Sequence, residues 1–180
     1  MLILFNVLLA SFIYTPISVN EKMVLKAEKQ IKKEFKEGTK LLPFNPGDLR
    51  AENLNSTFYF IENDSRQLKG IAVITHANGC VIGGCSINNT AENRYEQFYI
   101  LSVYDRQNKL IRLNVLDYPG EHGYEITTKW WLKQFFGDIS VKHKYGKNID
   151  ALGGATISAR SVVDEVNGIN SIIESISYGD

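Results

Sequence analysis

Gln97-Phe-Tyr-Ile-Leu-Ser-Val-Tyr-Asp-Arg-Gln-Asn-Lys-Leu-Ile-Arg-Leu-Asn-Val-Leu-Asp117 holds two runs rich in β-branched and aromatic residues, broken by a polar tetrapeptide. Such runs fit a pleated, half-buried surface, and Asp105-Arg-Gln-Asn108 has the residues that turns favour, so a β-hairpin is predicted here. On the second arm Ile111, Leu113 and Val115 alternate with Arg112 and Asn114, which predicts one buried face and one wet face. Upstream, Thr57-Phe-Tyr-Phe-Ile61 and Gly70 to His76 are two further strands by the same criteria, and Pro43, Pro46 and Gly47 mark a turn region before them. The ends of the chain change period. From Glu21 to Lys36, Val24, Ala27, Ile31 and Phe35 form an apolar stripe under a face of Lys and Glu that reads as solvated surface, and Gly38 is the expected stop. Near the C-terminus Val162, Val166, Ile169, Ile173 and Ile176 repeat at helical spacing. Strands in the middle and helices at both ends predict an α+β single domain, a largely antiparallel sheet flanked by N- and C-terminal helices.

The chain has 180 residues, 44% hydrophobic and 22% charged, an ordinary composition for one globular core. Its 20 basic and 20 acidic residues cancel, so no global field draws in nucleic acid, which is set aside as a partner. Residues 1–19 carry no charged side chain and are mostly apolar, interrupted by Asn6 and Pro16. They are expected to be a signal peptide or an N-terminal membrane anchor, with residues 20–180 as the folded domain. Small residues near Ala10, Ser11 and Ser18 offer cleavage sites, the run has no basic residue ahead of it, and no lipobox cysteine is present.

Asp150-Ala-Leu-Gly-Gly-Ala-Thr-Ile-Ser158 joins a small-residue turn to the start of the C-terminal helix. Gly153 and Gly154 open backbone conformations closed to other residues and permit close approach, and Ala155 adds little bulk. Thr156 then offers a hydroxyl, and either Thr156 or Ser158 is a candidate N-cap. Unpaired N–H groups at a helix start favour an anion, and Arg160 in the first turn is better tolerated with a phosphate or carboxylate nearby. The simpler reading is a glycine turn followed by a capped helix. Neither the phosphate-loop pattern ending in Lys-Ser or Lys-Thr nor the three-glycine dinucleotide pattern occurs.

Asp150-Ala-Leu-Gly-Gly-Ala-Thr156 resembles the flavinylation motif of the FMN-binding domain family, found in the membrane-associated subunits of the Rnf and Nqr electron-transport complexes. The resemblance implies that Thr156 carries covalent FMN through a phosphoester, and that Asp150, Gly153, Gly154, Ala155 and Ser158 surround the attachment point. It implies a flavin transferase as a partner, which installs the group from FAD with a divalent metal, and a second partner that exchanges electrons, either a protein or a membrane redox complex. Gly153 stands where the family commonly has Ser or Thr. A glycine-containing loop after the hairpin helps to wall the flavin in the family, and Gly123 and Tyr124 align with it, although Asp117 to Ile126 differs from the commoner Glu-Thr-Pro-Gly version. The function so implied is an extracytoplasmic electron-transfer flavoprotein, exported to the periplasm or held at the outer face of the cytoplasmic membrane, and a redox component rather than a stand-alone enzyme.

Two other readings follow from the residues. A secreted binding or scaffold domain needs the glycine turn only as the start of a helix. Alternatively, Cys80 and Cys85, separated by Val-Ile-Gly-Gly, form either a local structural disulfide or a thiol redox pair. A zinc site using His76 with the two cysteines lacks the paired Cys-x-x-Cys spacing. His122 and His143 have no Ser or Cys nucleophile in view and are expected at the surface. Trp130, Trp131, Phe135 and Phe136 crowd a short helix within residues 127–136, where tryptophans at this spacing are expected to be core.

Overall fold

The computed structural model describes residues 20–35, 38–47, 55–81, 95–120 and 123–176. The segment 1–19, with its predicted leader or anchor, lies outside them, as do Cys85 and His122. Five strands, β1 (Thr39–Phe44), β2 (Ser56–Asn63), β3 (Leu68–Val81), β4 (Tyr95–Asp105) and β5 (Leu110–Asp117), form one sheet in sequence order. Each pairs antiparallel with the next, so the sheet is a meander. Helix α1 (Glu21–Phe35) precedes it, and α2 (Lys129–Leu132) and α3 (Thr156–Ile173) follow it. The predicted α+β domain with an antiparallel sheet between terminal helices is what the chain forms.

Polar side chains close the turns. Asp105 Oδ1 accepts the N–H groups of Gln107 and Lys109, both at 2.9 Å, and Asn108 takes the left-handed conformation at φ 57° that suits asparagine. Asn63 Oδ1 accepts the Gln67 N–H at 2.8 Å and closes the β2–β3 turn in the same way. The turn expected around Pro43 begins later. Pro43 lies inside β1, opposite Tyr59, and is tolerated because β1 is an edge strand whose outer side needs no donor. The turn proper comes at Asn45 to Gly47, where Asn45 Oδ1 accepts the Gly47 N–H at 2.9 Å and Gly47 has φ 69°.

The central strands are buried on both faces. Phe58, Ile71, Val73, Phe98, Ile100 and Tyr104 point to one side, where Trp131, Phe135, Val162, Val166 and Ile169 pack on them. Tyr59, Ile61, Ala72, Ile74, Leu101 and Val103 point to the other and meet Ala27 and Ile31 of α1. The result is three layers, helix, sheet and helix, with α1 on one face and α2 and α3 on the opposite face. The predicted alternation on β5 fails for a local reason. Register shifts at Tyr99/Ile100 and Val103/Tyr104 break the period, so Leu113 and Val115 join the α3 side while Ile111 joins the α1 side. The expected wet face is also partly covered, because Arg112 pairs with Glu34 of α1. Tyr104 ties the sheet to α3 by donating its hydroxyl to Asn170 Oδ1 at 2.9 Å.

No helix among the described residues is long and apolar enough to cross a membrane.

Candidate functional site

The segment leading into α3 is held by side chains from its surroundings. Trp131 Nε1 donates to the Asp150 carbonyl at 2.8 Å, and the Asp150 N–H donates to Gln134 Oε1 at 2.9 Å. Tyr145 does both jobs at Leu152: its hydroxyl accepts the Leu152 N–H at 2.8 Å and donates to the Leu152 carbonyl at 3.1 Å. Ile149, Leu152 and Ala155 are buried and pin the backbone from below, whereas Asp150 is exposed. Between Leu152 and Ala155 the chain rises into the open. A Cβ added at Gly153 or Gly154 would meet nothing within 4 Å, and Gly154 sits at φ 79°, where a side chain would be strained.

The helix begins one residue earlier than a Thr156 cap requires, and three earlier than a Ser158 cap requires. Ala155 is the N-cap and no side chain caps the helix start, so both candidate caps are corrected. Thr156 is the first helical residue, exposed, and its hydroxyl has no hydrogen-bond partner among the described residues. Ser158 faces inward instead. It is fully buried, and its hydroxyl shares a hydrogen bond of 3.0 Å with that of Tyr118. Arg160, exposed at the fifth position of α3, places its guanidinium 5.6 Å from the centre of the Tyr145 ring, so its charge stacks on the residue that clamps Leu152.

Gly123 and Tyr124 come to the same place. At φ 84° Gly123 starts a 3-10 turn over Tyr124–Thr127, and a Cβ on it would lie 2.7 Å from the Tyr118 hydroxyl and 3.5 Å from Ala155. Tyr124 is 63% exposed and meets Tyr118 in a T-shaped pair with ring centres 6.2 Å apart. The structure thus gathers Gly123, Tyr124, Asp150, Gly153, Gly154, Ala155, Thr156 and Ser158 around one helix start. Residues without a role in the sequence reading complete it. Tyr118 and Gln134 act on partners 40 and 16 residues away and Tyr145 on one seven residues away, so no local pattern announces them; the glycines that follow Tyr118, Gly120 and Gly123, are the one signal. Glu96 of β4 lies with one carboxylate oxygen buried beside Gly120 and without a partner among the described residues, and a Cβ at Gly79 would stand 3.3 Å from Ser158 Oγ, which brings the end of β3 against the helix start.

The remaining candidates sit elsewhere. Cys80 lies on β3, its side chain outside the description, and Cys85 lies outside it altogether, so their pairing stays an expectation. His76 stacks on Tyr99 with ring centres 4.6 Å apart, and burial lowers its pKa. His143, expected at the surface, is buried at 5% exposure: its ring packs 5.0 Å from that of Phe135, and its backbone N–H and carbonyl are both bonded to the Asn167 side chain of α3; burial lowers its pKa too. Of the tryptophans, Trp131 is core and Trp130 is 55% exposed, which corrects the expectation for Trp130. No three His, Cys, Asp or Glu side chains among the described residues converge on a metal position. A cleft of about 370 Å³ lies between β5 and α2, lined by Arg112, Asn114, Lys129, Leu132 and Phe136, away from Thr156.

No family model matches this chain. No curated protein matches it either. Among solved structures it is similar to the crystal structure of Shewanella oneidensis NqrC, at 14% sequence identity and a TM-score of 0.47, over 84% of this chain and 90% of that chain.

Proposed function

We propose that this chain is an electron-transfer flavoprotein that carries FMN covalently on Thr156 through a phosphoester bond. The observation that carries the reading is the state of Thr156: an exposed, unbonded hydroxyl at the first position of α3, beside two glycines with open space above them. A threonine hydroxyl is a weak nucleophile, so its modification needs a separate enzyme and a peptide that enters that enzyme's site. The bare shelf at Gly153 and Gly154 fits such entry, and its anchored ends at Asp150, Leu152 and Ala155 limit the ordering cost. The donor set also suits a phosphate: the uncapped N–H groups of the first turn and the positive end of the α3 dipole face the position beside Thr156. Exposed Tyr124 offers an aromatic wall at the rim.

Bound there, the flavin supplies the redox chemistry. The chain holds it, orients it and keeps it at high effective concentration wherever a free cofactor would be diluted. That advantage is greatest outside the cytoplasm, so the proposal includes export of the domain, to the periplasm or the outer face of the cytoplasmic membrane, with residues 1–19 as leader or anchor. A flavin transferase and an electron-exchanging protein or membrane redox complex are the partners it requires.

Substitution tests the attachment point. After co-production with a flavin transferase and denaturing electrophoresis, wild type and Ser158→Ala are expected to give a fluorescent band and Thr156→Ala none. A band that survives Thr156→Ala, or disappears only with Ser158→Ala, contradicts the proposal.

A further inference from the structure

We propose that the outward ridge of α1 is a docking surface for an anionic lipid bilayer. The exposed positions of α1 are Glu21, Lys22, Leu25, Lys29, Lys32 and Lys33, which fall on one side of the helix, opposite the buried Met23, Ala27 and Ile31. A helix that only needs solvation intersperses its charges in Glu–Lys pairs. Here Glu21 is the one acid on the ridge, at its N-terminal end, and the other two are drawn aside. Glu34 pairs with Arg112 on β5, and Glu28 is half-buried. The one lysine turned toward the body, Lys26, is tied to Asp117 at 2.8 Å. The ridge lysines form no ion pair among the described residues. Lys29 and Lys33 stand four residues apart, a like-charge spacing that mildly opposes the helix. The sheet does not need these cations, since α1 is already held by its apolar stripe.

Leu25 decides between a solvated cationic ridge and an interfacial one. It is 54% exposed in the middle of the lysines, where burial against the sheet is not available to it. A helix that lies on a bilayer has this composition: cations at headgroup level and an apolar side chain that dips below them. Just ahead of the ridge the sequence runs into the uncharged, apolar residues 1–19, which, retained as an anchor, would hold the ridge beside lipid. The ridge and Thr156 lie on opposite faces of the sheet. A domain resting on α1 therefore turns Thr156 toward the aqueous side, open to soluble partners.

Vesicle sedimentation of the full chain tests this, with vesicles of equal parts phosphatidylglycerol and phosphatidylcholine compared with phosphatidylcholine alone. Insertion by residues 1–19 contributes to both and cancels in the ratio. Each lysine near an anionic surface strengthens partition by about fivefold, so wild type is expected to prefer the anionic vesicles by at least about tenfold. The preference should collapse in high salt and in Lys22→Gln/Lys29→Gln/Lys32→Gln/Lys33→Gln, and weaken in Leu25→Glu. If the quadruple variant loses the native circular dichroism, Lys22→Gln/Lys29→Gln is held to the same criterion. Equal partition of wild type on both vesicles, or a preference that survives the lysine substitutions, overturns the proposal.

Discussion

Thr156 and Ser158 are two hydroxyls two residues apart with opposite fates, and the cause is the helix. Starting at Thr156, α3 turns Ser158 inward against Tyr118 and leaves Thr156 outward with no backbone group to cap. Removing a capping hydroxyl costs typically about 1 kcal/mol, whereas Thr156→Ala should change stability by less than about 0.5 kcal/mol in a denaturant titration. Glu165 gives the residue scale its pH dependence. Burial, with Asp164 beside it, pushes its carboxyl up from 4.5 to about 7. Between those values the unfolded chain has released a proton that the folded chain keeps, so this group's contribution falls as pH rises through the window. Glu165→Gln should therefore raise the unfolding free energy at pH 8, by on the order of 1 kcal/mol after discounting for partial exposure, and leave it unchanged near pH 4. His76 and His143, with lowered values, act in the opposite direction, since what they contribute above pH 6.5 is lost as pH falls. A gain at pH 4 as large as at pH 8 would contradict the assignment to Glu165.

The element that matters most is the anchored segment from Tyr145 to Ala155. Tyr145 holds both polar groups of Leu152 and supports Arg160, so one ring links the segment to the N-terminal part of α3. Tyr145→Phe keeps the ring and removes the hydroxyl, leaving a part-buried N–H unpaired at a cost of about 1–3 kcal/mol. Hydrogen exchange at the Leu152 amide should accelerate accordingly, and an unchanged rate would show that burial of Ile149 and Ala155 suffices to fix the segment. Elements of this kind are only partly legible in a sequence. The periods of α1 and α3 are visible because each buries a single stripe. β1 is hidden because Pro43 signals a turn and only the edge position permits a strand. The facing of β5 is hidden because two register shifts arise in its pairing with β4, which no reading of one strand contains. In the site, the glycines, Thr156 and Asp150 stand in one short run, whereas the bonds from Trp131, Gln134 and Tyr118 span 19, 16 and 40 residues and exist only after folding.

Across the whole molecule, the meander separates two surfaces. One carries α1 and its cationic ridge; the other carries α2, α3 and the start of α3 where the glycine shelf and Tyr124 meet. A cofactor tethered to Thr156, as proposed, would have the sheet behind it and solvent before it, open to protein partners. The direct measurement is the intact mass of the protein co-produced with a flavin transferase, followed by peptide mapping. The account predicts a gain of one FMN on the peptide that contains Thr156. An unmodified mass, with the same transferase active on a control substrate, or FMN on any other residue, would contradict it.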